Sequence, residues 1–382
     1  MGFSKKSISI LIILGMQFSF ATAQDLPKVY WGGVSLVEAA SSSTESVAAA
    51  LFRCPQMPCA IQLEAADQIV KKAKYEKIDV IFGKLAANET LGYILTPVLS
   101  SELVMEADHG DLGYSYTYII FGSLMIIEVD PNESSYIYSL PYIFQVEDWP
   151  GKKISKEAQD AFLSDIYLNK KREYNYFQEM AAAASSLMEV RVAFPKYAQV
   201  NSIQFSDEVL EVLNQTGTTD AWRRRVTNFF EARLAAEIES PLLPAGFGEG
   251  TIDVVFADAS RRIKLPPPFY DLKLDVQRFV RQDFPDQGAI CFMVKTNVKI
   301  SADNEDMFNL DFTRKKDSCL DVPKGSKRLD KEFFPASLFS QLFRIAKAFN
   351  GKPDANYLKR NVKDAAAAKT ALKSAHNLLL PE

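Results

Sequence analysis

Four polar residues in one short stretch have side chains that could perform acid/base chemistry or bind a cation. They are Glu106, Asp108, His109 and Asp111. Paired carboxylates can cleave glycosidic bonds, and carboxylates beside an imidazole can transfer protons or coordinate a cation. The stretch also has the composition of a turn. The chain contains an internal repeat, described below, and the corresponding stretch of the second copy, 282–286, has no histidine. We therefore favour a polar hairpin turn over a catalytic or metal site.

Few other residues offer chemistry. The chain has two histidines, His109 and His376, which leaves little material for a catalytic triad or a histidine-based metal site. Gly246, Gly248 and Gly250 have the composition of a phosphate-binding loop, but they precede a predicted strand, whereas such loops follow one. We predict no cofactor and no metal.

The first 23 residues have the organisation of a secretory signal peptide. Lys5 and Lys6 precede an apolar run, and Ala21 and Ala23 supply the small residues that a signal peptidase requires. The apolar run is shorter than the roughly 20 residues that span a bilayer, so we favour a cleaved leader over a retained anchor. The sequence predicts cleavage after Ala23 and export to the periplasm or the extracellular space.

The chain has four cysteines, and their spacing predicts two disulfide bonds. Cys54 and Cys59 enclose a segment whose length fits neither a two-residue redox motif nor a zinc site, so a local structural disulfide is favoured over a reactive pair. Cys291 and Cys319 flank a predicted hairpin loop at 303–306, and their positions place them almost opposite each other on neighbouring strands. Disulfides are typical of oxidising compartments, which agrees with export.

Length and charge limit the remaining possibilities. A chain of 382 residues suits two domains better than one. The net charge of −4, with basic residues scattered among acids, gives no footprint for nucleic acid. Trp222 is followed by Arg223, Arg224 and Arg225 on a predicted helix. Three adjacent side chains on a helix point in different directions, so we favour a solvated face over an anion-binding patch.

The chain is organised by an internal repeat. Matching segments recur at a spacing that is constant within one residue, and they are 78–82 with 252–256, 151–157 with 325–332, Ala161 with Ala336, and Leu163 with Leu338. Between these anchors each copy has three stretches rich in β-branched and aromatic residues, which predict strands. We predict an α+β fold formed by tandem duplication of an α/β unit, each with an antiparallel-rich sheet and helices packed on one face.

The repeat suggests a division of the chain into five parts. They are a signal peptide 1–23, a first α/β domain 24–152, a long connecting helix 153–190, a second α/β domain 191–350 and an Ala- and Lys-rich helical tail 351–382. The second domain begins with a predicted strand over 198–205 and a helix that ends at Ile238. The tail has a weak apolar face, so any membrane contact is expected to be peripheral and through it.

Two classes of function remain. The first is an exported, soluble envelope protein that acts as a non-enzymatic binding, scaffold or assembly factor, in contact with another envelope protein or with itself. Few histidines, doubled domains and tyrosine-rich strands typical of interfaces favour it. The predicted element order resembles, in layout alone, the small periplasmic α/β domains of outer-membrane secretion, pilus and flagellar assembly factors. The alternative is a carboxylate-based hydrolase of an envelope polymer, whose acids would line a deep cleft.

Overall fold

A computed structural model describes most of the chain. The described residues are 26–37, 46–54, 58–82, 92–129, 134–170, 173–190, 196–244, 251–255, 260–284, 286, 289–313, 319–321 and 330–380. The predicted signal peptide and the glycines at 246, 248 and 250 lie outside these residues. Two mixed β-sheets with helices form an α+β fold with two sheet units, which confirms the predicted fold class.

The strands divide between the two sheets. The first sheet contains β1 Lys28–Trp31, β2 Ser35–Val37, β3 Asp79–Ile81, β4 Gly92–Asp108, β5 Tyr114–Val129, β6 Ser134–Asp148, β8 Thr251–Val255 and β9 Ser260–Lys264. The second contains β7 Ala198–Phe205, β10 Tyr270–Phe284, β11 Ala289–Ala302, β12 Glu305–Thr313 and β13 Cys319–Asp321. The order is β2-β8-β9-β6-β5-β4-β1-β3 in the first sheet and β12-β11-β10-β7 in the second, with β13 beside β11.

Nine α-helices of the described residues lie between and after the strands in the sequence. They are α1 Val47–Phe52, α2 Ala60–Ala66, α3 Lys156–Leu168, α4 Tyr176–Ala184, α5 Asp207–Leu213, α6 Thr219–Ile238, α7 Asp330–Ala348, α8 Ala355–Asn361 and α9 Ala365–Leu379. Several begin at a side chain that accepts a backbone N–H of the first turn, as Ser155, Thr218 and Asp364 do for α3, α6 and α9. These capping residues fix where each of the three helices begins.

The two units share one topology. In the first, β1 lies parallel to β4, which continues antiparallel through β5 and β6. In the second, β7 lies parallel to β10, which continues antiparallel through β11 and β12. In α3 and α7, which follow the last long strands, Leu163 and Leu338 are buried and Ala161 and Ala336 are exposed, as the predicted alignment requires.

One anchor of the predicted repeat is placed differently. β3 lies parallel to β1, but its predicted counterpart β8 joins the first sheet between β2 and β9. The place beside β7 is taken by Leu243, which forms a parallel bridge with Gln199. Val254 of β8 is fully buried against Val98 and Met125 of the first sheet, and this apolar contact explains the placement.

The β8–β9 hairpin therefore interlocks the two halves. Because β2 also pairs with β4, the hydrogen-bonded strands close a ring in the order β4, β5, β6, β9, β8 and β2. Two of its strands come from the second half of the sequence. The predicted domain boundary near residue 191 therefore does not divide the strands into the two sheets, because β8 and β9 follow it in sequence but belong to the first sheet.

The connector predicted as one helix over 153–190 consists of two helices, α3 and α4. A single helix of that length would extend about 57 Å and leave the sheet it covers. Asn169 adopts a left-handed conformation and ends α3, and the Asn175 side chain accepts from Gln178 N at the start of α4. The break lets Leu163 and Phe177 both pack on the first sheet.

Helices α6 and α7 lie between the two sheets. Ile119 and Phe121 of β5 belong to the same core as Phe229 of α6, whereas Tyr118 and Ile120 face the core formed with α1 to α4. The first sheet is therefore covered on both faces, by its own helices and by those of the second unit. On the second sheet the faces differ, because Val294 and Val298 of β11 are buried whereas the intervening Lys295 and Asn297 are partly exposed.

Both predicted disulfides are present, Cys54–Cys59 and Cys291–Cys319. Cys291 and Cys319 are direct partners in the β11–β13 pairing. Asp303 and Asn304 connect β11 to β12 with left-handed backbone conformations, which suits a two-residue hairpin turn. Disulfides are typical of proteins outside the cytoplasm. Among the helices of the described residues, none combines the length and apolar character needed to cross a membrane.

The Ala- and Lys-rich tail is helical, as predicted, but its apolar face is not free. Ala368, Leu372, Ala375 and Leu379 of α9 are buried in the core of the second unit. His376 Nδ1 lies 2.7 Å from the Phe349 carbonyl oxygen, which ties α9 to the end of α7. The apolar side chains proposed for membrane contact are therefore used in packing.

Candidate functional site

The four predicted site residues lie together at the tip of the β4–β5 hairpin. Glu106 and Asp108 are in the last part of β4, His109 follows it, and Asp111 is in the 3-10 turn Gly110–Leu112. His109 N donates to the Gly113 carbonyl oxygen at 2.8 Å, and Gly110 N donates to Asp108 Oδ1 at 2.8 Å. These bonds are typical of a tight turn, in which the Asp108 carboxylate accepts a hydrogen bond from the backbone N–H of Gly110.

Gly113 is required for this turn to form. Its φ of +86° lies in the left-handed region, and a β-carbon there would overlap the carbonyl group of Gly151. The hairpin tip therefore packs closely on the segment that leads into α3.

The side chains of the tip are engaged with neighbours. Glu106 accepts from Tyr116 Oη at 3.1 Å and from Lys153 Nζ at 2.8 Å, and the second bond raises the pKa of Lys153. His109 stacks on Trp149 with 4.6 Å between ring centroids, and its Nε2 lies 2.7 Å from Ser115 Oγ. Glu106 thus links β5 to the segment before α3.

The tip has the geometry of a turn. Among the described residues, no group of three or more His, Cys, Asp or Glu side chains is arranged to hold a metal ion. Two depressions in the described part of the chain, one beside Gly122 and one along β7, include none of the four predicted residues. The geometry therefore gives no support to a carboxylate-based hydrolase at this place.

The larger of these two depressions follows the outer edge of β7. This groove, which we call the β7 groove, has a volume of about 500 Å³ and lies between β7 and the flank of α6. Its lining residues are Val200, Asn201, Ser202, Ile203, Gln204, Asp220, Arg223, Arg224, Thr227 and Asn228.

The β7 groove exposes a backbone edge. The lining includes every residue from Val200 to Gln204. Side chains of a strand alternate between faces, and the one bulge in this stretch, at Asn201, does not bring all five residues onto one face, so the groove follows the strand edge. On one side β7 pairs with β10, and on the other, among the described residues, Leu243 pairs with it at Gln199 alone. Beyond Val200, no strand of the described residues pairs with the outer edge of β7, and we call this edge open.

Core packing fixes the helix that forms the other wall. Trp222 is buried and its Nε1 donates to the Leu213 carbonyl oxygen at 2.8 Å. Phe229 and Phe230, further along α6, are buried in the core between the sheets. With this face turned inward, Arg223 and Arg224 are exposed along the groove.

The sequence interpretation of the arginines was therefore incomplete. Arg225 lies over the Trp222 ring at 5.3 Å from its centroid, whereas Arg223 and Arg224 share the β7 groove. Arg223 forms an ion pair with Asp220 at 3.2 Å. Arg224 has no acidic side chain within ion-pair distance in the described part of the chain. No sequence signal identifies this groove, because a strand pattern does not reveal which strand lies at an edge.

The tyrosine-rich strands have a different role from the one predicted. Tyr116, Tyr118 and Tyr138 are buried in the core of the first unit, together with Tyr167 and Tyr176 of the helices. These rings fill the space between the sheet and α1 to α4. They are not available for an interface, so these tyrosines do not support a binding function.

Comparison with known protein families finds no match, and comparison with curated proteins finds no similar sequence.

Proposed function

We propose that this chain is an exported envelope protein that acts as a non-enzymatic binding, scaffold or assembly factor, and that the β7 groove is its contact with another protein. One observation carries the proposal, which is the open backbone edge of β7 beyond Val200. An extended segment of a partner can add a strand to such an edge, with affinity from main-chain hydrogen bonds and specificity from alternate side chains.

The composition of the edge supports this function. Proteins normally protect exposed edge strands with charged residues, proline or short length, because open edges promote aggregation. β7 has the sequence AQVNSIQF, with no charge and no proline. At the opposite edge of the same sheet, β12 carries Glu305, Asp306 and Asp311, and β3 at the edge of the first sheet has three residues. β7 lacks charge, proline and short length, and its one protective feature is a β-bulge at Asn201, where its pairing with β10 shifts by one residue.

The scaffold beneath the edge is well suited to present it. The α6 helix contacts strands of both sheets, and Asn228 on it donates to Ser100 Oγ of β4 at 3.2 Å. The β7 groove therefore lies where the two units meet. A partner bound there would contact a surface held by both halves of the molecule.

The two disulfides support a location outside the cytoplasm. The proposed route is cleavage of the leader after Ala23, with the mature chain beginning at Gln24. Mass spectrometry of the protein purified from its own cells tests this step. A chain that retains residues 1–23 would contradict it.

Photo-crosslinking in the native cell tests the binding surface. A photoreactive residue replaces Asn201 or Gln204, whose side chains are exposed at the edge, and in a control it replaces the exposed Lys369 of α9. We expect a defined protein adduct from the two edge positions and none from Lys369. Equal adducts from all three positions, or none from the edge, would overturn the proposed use of β7.

A further inference from the structure

We infer that the occupant of the β7 groove is an extended acidic segment of a partner protein, with one of its carboxylates bound to Arg224. The inference rests on the proposed function, since it specifies the partner of the same groove. It is carried by the charges and the polar lining of the groove.

The described lining of the β7 groove carries more positive than negative charge. Among the described residues, the lining has two guanidinium groups and one carboxylate, on a protein whose net charge is −4. Asp220 lies 3.2 Å from Arg223 and offsets its charge, whereas Arg224 has no such partner among the described residues. The groove is therefore a cationic site on an acidic protein. Two copies paired edge to edge through β7 would bring these arginines together, so the charges disfavour that dimer and favour an anionic partner.

The guanidinium group specifies the kind of anion. Its planar arrangement of N–H donors matches a carboxylate in a bidentate pair. On an added strand, side chains at alternate positions point to the same side, so acidic residues at alternate positions would face α6. An extended segment with Asp or Glu at such positions satisfies both the strand edge and Arg224.

The rest of the lining selects against apolar segments. Asn201, Ser202, Gln204, Thr227 and Asn228 contribute polar side chains, and the apolar Val200 and Ile203 are buried in the core of the second unit. Asn201 and Asn228 already donate to Asp271 and Ser100, and apolar side chains would offer no hydrogen-bond partner to Ser202, Gln204 or Thr227. The expected segment is polar and acidic.

Selection from a library of random peptides tests the inference without assuming a sequence. The mature chain, residues 24–382, serves as target, and the variant Arg224→Gln is selected in parallel. We expect the wild-type selection to enrich Asp and Glu at alternate positions and the variant selection to lose this enrichment. Absence of acidic enrichment on the wild type would overturn the inference.

Synthetic versions of an enriched peptide, acetylated and amidated so that no terminal carboxylate is present, give the affinities. Replacing its acids by the corresponding amides should weaken binding about fivefold, the upper range for an exposed ion pair. Arg224→Gln should abolish that difference, whereas Arg360→Gln, at an exposed arginine on α8, should keep it. Thermal unfolding of each variant checks that the fold is retained.

The outcomes separate this inference from the proposed function. In an added strand, alternate backbone N–H groups point toward β7. N-methylation at those residues should abolish binding, and N-methylation at the residues between them should not. If N-methylation has this effect but the peptides with Asp and Glu bind no tighter than those with Asn and Gln, the acidic preference is wrong and strand addition is supported. Concentration-dependent dimers of the mature chain that exclude the peptide would identify a second copy as the occupant and overturn the inference.

Discussion

Gly122 of β5 lies so close to Tyr176 of α4 that a β-carbon at residue 122 would overlap the tyrosine hydroxyl group. The same β-carbon would lie 2.7 Å from the Val98 carbonyl oxygen of β4. Tyr176 is fully buried, so neither neighbour can move into solvent. This contact sets the distance between the first sheet and the helix that covers it.

The Gly122 contact predicts that Gly122→Ala destabilises the protein by about 1–3 kcal/mol, the usual range for overpacking a core. Urea unfolding of the purified mature chain measures the change. Tyr176→Phe should cost little, because the buried hydroxyl has no hydrogen-bond partner among the described residues. The double variant should recover part of the loss, and additive losses would show that the two residues do not interact.

Glu102 predicts a dependence of stability on pH. Its carboxylate accepts from Val47 N and Ala48 N at 2.8 Å each and from Tyr167 Oη at 2.9 Å. Burial raises the pKa of Glu102 above its ordinary value of 4.5, and these donors oppose that rise. The native state therefore binds the proton more tightly than the unfolded state, so stability from this group falls as pH rises above about 4.5.

The variant Glu102→Gln isolates this contribution, since its amide does not titrate. We expect the variant to be less stable by about 1–3 kcal/mol, because one amide oxygen cannot replace both carboxylate oxygens as acceptors. The stability advantage of the wild type should shrink as pH rises above about 4.5. An advantage that grows with pH in urea unfolding would contradict the raised pKa.

The two disulfides should differ in their contributions to stability. Loop-closure entropy predicts about 3.6 kcal/mol for Cys291–Cys319, with a sequence separation of 28, and about 2 kcal/mol for Cys54–Cys59, with a separation of 5. Replacing each pair by serines and measuring denaturant unfolding tests the order. A larger loss from the short loop would indicate that native-state strain or packing dominates.

The C-terminal helix should behave as part of the core. Leu372 is fully buried and the adjacent Lys373 is exposed. We expect Leu372→Ala to cost about 2–5 kcal/mol through lost packing and a cavity. Lys373→Ala is the matched control and should change stability by less than about 0.5 kcal/mol. Equal small effects in thermal unfolding would mean that α9 is a peripheral tail after all.

The interlocking hairpin predicts that the first half cannot fold alone. Residues 24–190 lack β8 and β9, which would expose Val98 and Met125 and leave the strand ring open. We expect this fragment to aggregate or remain unfolded, while residues 24–382 unfold in one transition. A monomeric fragment with native-like near-ultraviolet circular dichroism would show that the first sheet is independent.

Local features of the sequence were sufficient for much of the fold. The strand stretches, the two-residue turn at Asp303 and Asn304, and the pairing of Cys291 with Cys319 follow from periodicity and hairpin geometry, which depend on neighbours in the chain. The matching helix registers of Leu163 and Leu338 likewise follow from the repeat, because a duplicated amphipathic helix must bury the same face. The polar turn at Glu106 to Asp111 was recognisable by its composition.

Distant contacts decided the rest. Segments 78–82 and 252–256 are nearly identical, yet they lie in different positions because β8 buries Val254 in the first sheet. The tyrosines of β5 are in a core because helices from elsewhere cover them. The edge of β7 is open because Leu243 is the one described residue that pairs with it on that side, at Gln199. Every residue other than proline carries the same backbone donor and acceptor, so a strand's sequence cannot specify which neighbour will satisfy them. Only the tertiary structure shows where an edge remains open and places Arg224 beside it.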